Sequence, residues 1–167
     1  MSQVVDFATY QQLCDVIVEE GASLDEQRWD DWLSLYLDDA VVWMPTWDSE
    51  FELTKNPASE LSFFYLKGKH ALSDRMWRWT SGQAPAAMPL PRTSHLVGHI
   101  RVLRNDPGEA VLAARWHTQV YRKKQTWSYA GSYRHTLRLL DGKWRIAEKY
   151  IVLTNDQIDT SIDLYHV

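Results

Sequence analysis

The chain has 167 residues, 45% hydrophobic and 24% charged, enough for a single domain over 1–167, and it contains no repeat or linker that would divide it. A formal net charge of −4 excludes the basic excess of a nucleic-acid binder, and no apolar run approaches the roughly 18–20 residues of a membrane span. Cys14 is the only cysteine, which excludes an internal disulfide or a thiolate cluster within the chain.

The N-terminus, Met1 to Asp6, lacks the basic start and apolar stretch of a signal peptide, so a cytoplasmic location is expected. Tyr10, Leu13, Cys14, Ile17 and Val18 recur at helical spacing and predict an amphipathic helix over about 6–20, stopped by Gly21. Ser23 and Glu26 have capping-box spacing and predict a second helix with Trp29, Trp32, Leu33 and Tyr36 on its apolar face, ended by Asp38 and Asp39. Val41 to Met44 reads as a short strand closed by Pro45, and Leu61 to Leu66 as another. Leu72, Met76 and Trp79 at i, i+4, i+7 predict a third helix over about 70–80. Pro85, Pro89 and Pro91 make 81–92 an extended, irregular loop, because proline neither donates to a ladder nor continues a helix.

From His95 onward the pattern is strand. One strand covers His95 to Arg104. Ala110, Leu112, Ala114, Trp116, Thr118 and Val120 then alternate with a more polar set. Trp127, Tyr129, Gly131, Tyr133, His135, Leu137 and Leu139 do the same, and Trp144, Ile146, Tyr150 and Val152 continue after the hairpin signal Asp141-Gly142. Gly98 and Gly131 inside strands predict bulges or bends. Helices followed by four long antiparallel strands is an α+β pattern. A strongly bent antiparallel sheet wrapped round the N-terminal helices makes a cone-shaped roll with an internal pocket. Nine Trp and eight Tyr exceed what a domain of this size buries readily, so some are expected to face a partner.

Several segments carry a family resemblance. Leu24-Asp25 followed by Trp29-Asp30 and Trp32-Leu33 resembles the opening of the small (β) subunits of ring-hydroxylating dioxygenases. Trp43-Met44-Pro45 with Trp47-Asp48 resembles their next signature, and Leu53-Thr54, Asn56-Pro57 and Glu60-x-Ser62 follow in the order of the benzoate and anthranilate branch. Asp74-Arg75, the run Pro91 to His95, and the terminal Asp163-x-Tyr165-His166-Val167 extend the match over nearly the whole chain. Two departures bear on the substrate rather than the family. Phe63 to His70 stands where those subunits have a Tyr- and Gly-rich passage, and the acidic cluster after Trp47-Asp48 is reduced to Glu50 and Glu52.

The resemblance implies a nuclear-transport-factor-2-like roll and a trimer of small subunits associated with three large ones, α3β3. It implies no cofactor in this chain, with the Rieske [2Fe-2S] cluster and the mononuclear Fe(II) in the large subunit. The implied reaction is hydroxylation of an aromatic carboxylate such as benzoate or anthranilate, with electrons supplied indirectly from NADH through a reductase. The sequence itself has no Gly-rich dinucleotide fingerprint.

The residues are consistent with a subunit that has no metal of its own. A Rieske centre needs two Cys and two His. His95 and His99 lie on one face of a strand about 13 Å apart, too far to share an ion unless the strand bends. Two alternatives stay open: a stand-alone dehydratase or isomerase of the same roll, using Tyr36, Asp39, His95, His117 and His135 as acid–base groups, or a small-molecule-binding module. Trp47, Arg75, Trp77, Arg78, Trp79 and Arg92 are the candidates for subunit contact, since Trp, Tyr and Arg dominate interface energetics, and Arg92 is placed to hold a carboxylate through two hydrogen bonds.

Overall fold

The computed structural model describes residues 5–158 and 160–167. Helix α1 spans Phe7–Asp25 and starts at Asp6, whose carboxylate accepts the Thr9 amide at 2.9 Å. Its buried stripe is Leu13, Ile17, Glu20 and Leu24. The helix runs on through Gly21, which is a contact residue and not a stop. A Cβ there would lie 3.0 Å from the Cβ of His95, so the glycine lets the helix settle on the sheet. Ser23 is inside the helix, its hydroxyl donating to the carbonyls of Glu19 and Glu20, and it caps nothing.

The predicted second helix shrinks to α2, Trp29–Ser34, held by Arg28, whose guanidinium bonds the carboxylates of Glu19, Glu26 and Asp31. Tyr36, Leu37, Asp38 and Asp39 belong to strand β1, Tyr36–Pro45. The reason is tertiary: Tyr36 is in register with Ile146 on the last strand. Strand β2, Ser62–Lys67, pairs antiparallel with β1. Helix α3 covers Lys69–Thr80, and the proline segment holds a single turn at Pro85–Ala87.

Strands β3 (Arg92–Asp106), β4 (Glu109–Arg122), β5 (Gln125–Leu140) and β6 (Lys143–Leu153) form an antiparallel meander. The six strands are ordered β2-β1-β6-β5-β4-β3. The β1–β6 pair is parallel, so the sheet is mixed. Helix α1 touches both β3 and β6, three places apart in the order, so the sheet bends round it. The bends coincide with register shifts after Gly98, where His99 has φ 52°, and between Thr136 and Leu137. At Gly131 the backbone of β6 comes so close that a Cβ would sit 1.8 Å from the Val152 carbonyl oxygen.

The alternation in β4 and β5 is as expected, with Ala110 to Val120 and Tyr129 to Leu137 facing inward. In β6 the inward set is Ala147, Lys149, Ile151 and Leu153, joined by Ile146. Tyr150 and Val152 therefore face outward, contrary to the period read from the sequence. The register shift opposite Ala147 changes the phase of the strand at that point. Leu164, Tyr165, His166 and Val167 are all buried and fill the space between the helices and the sheet. No helix among the described residues is long and apolar enough to cross a membrane.

Candidate functional site

Two polar clusters lie between α1 and the sheet. In the first, Glu20 of α1 receives both oxygens' bonds from Lys149 Nζ of β6, at 2.9 and 2.8 Å. Trp32 Nε1 and the Tyr36 hydroxyl also donate to Glu20 Oε1, at 3.0 and 2.8 Å. Lys149 gives a third bond to the Val167 carbonyl oxygen at 3.1 Å and lies 4.5 Å from the centre of the Tyr133 ring. Burial works to raise the Glu20 carboxyl, but the Lys149 ammonium and the Trp32 donor outweigh it and hold the group below the usual carboxylate range. A buried charge is tolerable when it is paired and fully hydrogen-bonded, and this one is. Burial and the Glu20 charge push the Tyr36 phenol well up, so it stays a hydrogen-bond donor.

His135 sits opposite Lys149 in the β5–β6 register and edge-on to Tyr133, with ring centroids 5.2 Å apart. Burial, then the Lys149 charge, lowers its pKa to about 3, so the ring is neutral at ordinary pH.

The second cluster joins Asp25, at the end of α1, to β3. Asp25 Oδ1 lies 2.6 Å from His95 Nδ1 and accepts the Thr93 hydroxyl at 2.8 Å, and Oδ2 accepts the His95 amide at 2.8 Å. Burial raises the Asp25 carboxyl, yet its bonds from His95 lower it more. The His95 side chain is 2% exposed, and Thr118 and Tyr129 flank it across the sheet. The ring of His166 packs against Tyr129, and its Nδ1 accepts the Asp163 amide at 2.9 Å. Its pKa falls to about 3, through burial first and then the neighbouring His95 and Arg122.

The five acid–base candidates are thus distributed over four places. Tyr36 and His135 join the Glu20–Lys149 cluster, and His95 belongs to the Asp25 cluster. Asp39 is exposed and bound to Arg138 at 2.8 and 2.9 Å, and His117 is exposed on the outer face of β4. Glu20, Lys149 and Asp25 are the organising residues, and sequence reasoning missed them. Glu20 had a visible signal, since positions 13, 17, 20 and 24 form one helical stripe with a single carboxylate in it.

Among the described residues no group of three or more His, Cys, Asp or Glu is arranged to hold a metal. With one cysteine, half-buried near Tyr10, the donor set does not fit an iron–sulfur cluster.

The contact candidates divide as well. Trp47 is half-buried and its Nε1 donates to the Leu153 carbonyl at 2.7 Å. Arg75 pairs with Asp163 at 3.3 Å and lies over the Phe64 ring. Trp77, 54% exposed, and Arg78 line an open groove with Gln83, Ala84 and Asp163. Trp79 lines the same groove but is 2% exposed and packed edge-on against Trp29 and Tyr165. Arg92 stacks over the Tyr121 ring at 4.6 Å.

Residues 19–160 match the model of the ring hydroxylating beta subunit family. The chain is 34% identical to the benzoate 1,2-dioxygenase subunit beta of Acinetobacter baylyi, over 98% of this chain and 97% of that one. It is 35% identical to the toluate 1,2-dioxygenase subunit beta of Pseudomonas putida, over 95% and 98%. Among solved structures it is similar to the beta subunit of the benzoate 1,2-dioxygenase of Burkholderia mallei, with a TM-score of 0.79 and 32% identity over 99% of both chains. The architecture is the nuclear-transport-factor-2-like roll that the sequence motifs imply.

Proposed function

The chain belongs to the ring-hydroxylating beta-subunit family, and from that premise we propose that it is the small, structural subunit of an oxygenase that hydroxylates an aromatic carboxylate. The observation that carries this reading is the state of the interior. Glu20 is engaged by Lys149 and Asp25 by His95, and residues 164–167 are buried beside them in the core. Paired charges of this kind stabilise a scaffold, while both ring nitrogens of His135 and the Nε2 of His95 and His166 are buried without a hydrogen-bond partner among the described residues. The chemistry then lies in a large partner subunit carrying a Rieske [2Fe-2S] cluster and a mononuclear Fe(II), in an α3β3 complex fed from NADH by a reductase. The substrate class follows relatives whose names specify benzoate, toluate, 2-halobenzoate and anthranilate.

The Asp25–His95 pair is among the features a stand-alone dehydratase or isomerase would use, and a His95 side chain only 2% exposed argues against that role. The test is co-expression with a large oxygenase subunit of the benzoate dioxygenase type. The expected result is a stable complex that, with reductase, NADH and O2, converts benzoate or a substituted benzoate, while the chain alone converts nothing. A small subunit that never co-purifies with a large subunit would overturn the proposal.

A further inference from the structure

Near the start of β3, neighbouring strands set polar side chains side by side on the inner face of the sheet. His95 of β3 is in register with Thr118 of β4, and Thr118 with Tyr129 of β5. His166 packs onto this row, its ring centre 5.4 Å from that of Tyr129 and 6.4 Å from that of Trp127. Thr118 is fully buried, and the His95 side chain and His166 are each 2% exposed. His95 is one of the groups that lower the His166 pKa, which places the two rings within electrostatic reach.

Four buried polar atoms of this neighbourhood have no hydrogen-bond partner among the described residues. They are His95 Nε2, Thr118 Oγ1, Trp127 Nε1 and His166 Nε2. A buried polar group left unmatched is costly, and folded proteins nearly always satisfy such groups. Several gathered in one place point to a partner they share.

The other nitrogen of each ring tells which role its Nε2 plays. His95 Nδ1 lies 2.6 Å from Asp25 Oδ1, and a carboxylate only accepts, so Nδ1 carries the proton. In the neutral ring Nε2 is then an acceptor. His166 Nδ1 accepts the Asp163 amide at 2.9 Å, so in that neutral ring the proton is on Nε2, which is a donor. The Trp127 indole donates only, and the Thr118 hydroxyl does either. The shared partner must therefore both donate and accept. An anion has nothing to donate to His95 and would stand close to the Asp25 charge. A metal ion would meet the proton on His166 Nε2. A neutral hydroxyl the size of water meets every demand.

We propose that a water molecule is bound between β3, β4 and the 163–167 segment, donating to His95 Nε2, accepting from His166 Nε2 and bonding the Thr118 hydroxyl. Three partners are the usual number for a buried water. The site completes a hydrogen-bonded chain from Asp25 on α1, through His95 and the water, to His166 and the Asp163 amide. It fastens the 163–167 segment to the sheet. Asp25 and the Asp163 amide are positioning groups, because their bonds set the tautomers that make one ring accept and the other donate.

The site lies within this chain and does not depend on a large subunit. Two measurements on the full chain test it. Imidazole nitrogen–proton correlation spectra at about pH 8, where both rings are neutral, are expected to show the proton on Nδ1 of His95 and on Nε2 of His166. The His166 Nε2 proton is expected to show cross-relaxation with a long-lived water. The second measurement reads a sign. Thr118→Val keeps the shape of the side chain and removes only the hydroxyl. An unmatched hydroxyl is better replaced, so the melting temperature would rise; a hydroxyl that bonds a water is missed, so it would fall. The expected result is a fall of about 3 °C together with a weaker water signal. A melting temperature that rises or stays the same, a His166 proton with no bound-water signal, or the opposite tautomer on either ring overturns the site.

Discussion

The two faces of the sheet treat charge in opposite ways. On the inner face Glu20 and Lys149 are buried and bonded to each other, and the buried His95 ring pairs with the half-buried Asp25 through Nδ1, its Nε2 having no partner among the described residues. On the outer face Arg101 and Arg115 make no ion pair among the described residues, and an exposed acidic loop lies beside Arg115. The contrast separates two tasks. Inner charges fix the fold, because any one of them left alone is expensive. Outer charges contribute little to the fold and are available to another chain. A site built for catalysis would combine the two, with perturbed groups open to a substrate, and neither face does this.

The largest effect that tests this contrast is at the inner pair. Lys149→Met leaves the Glu20 carboxylate buried without its counter-ion and should cost about 3–5 kcal/mol, read from urea unfolding. Adding Glu20→Leu should return most of that loss, and a double variant as unstable as the single one would mean the pair is not the unit described. The next effect is on pH dependence. His135 and His166 bind protons in the unfolded chain near pH 6.5 but in the fold only at about 3. In that window the unfolded state holds more protons, so stability falls as pH falls, by about 1.4 kcal/mol per pH unit for each ring. Unfolding free energies at pH 7, 6 and 5 measure the slope, and His135→Leu should halve it. Gly131→Ala, which must push β6 away, should cost about 1–3 kcal/mol, with a matching fall in melting temperature. The smallest effect is on the outer face: Arg115→Glu should change stability by less than about 0.5 kcal/mol, read from the same urea unfolding.

The meander was legible because β4 and β5 keep strict alternation from Ala110 to Leu137. β6 was misread because the register shift opposite Ala147 inverts its phase, and no residue type in the strand signals a shift. That inversion hid Lys149, and with it the inner pair, since its partner lies 129 residues away. Asp25 and His95 were hidden by a separation of 70 residues. The stretch from Tyr36 to Asp39 keeps helical spacing in sequence, yet a parallel neighbour turns it into strand. Gly21 was taken for a stop because a helix-ending glycine and a close-packing glycine look alike in sequence. The family motifs were legible because they lie in short contiguous runs.

The most direct test of the central claim replaces interior polar groups and reads turnover in the assembled oxygenase. Tyr36→Phe combined with His135→Leu keeps the volume of the roll while removing two of its acid–base groups. If the chain is structural, complexes of normal mass carrying this variant should hydroxylate their aromatic acid at the parental rate. An intact, fully assembled complex that has lost its activity would place chemistry inside the small subunit and contradict the account.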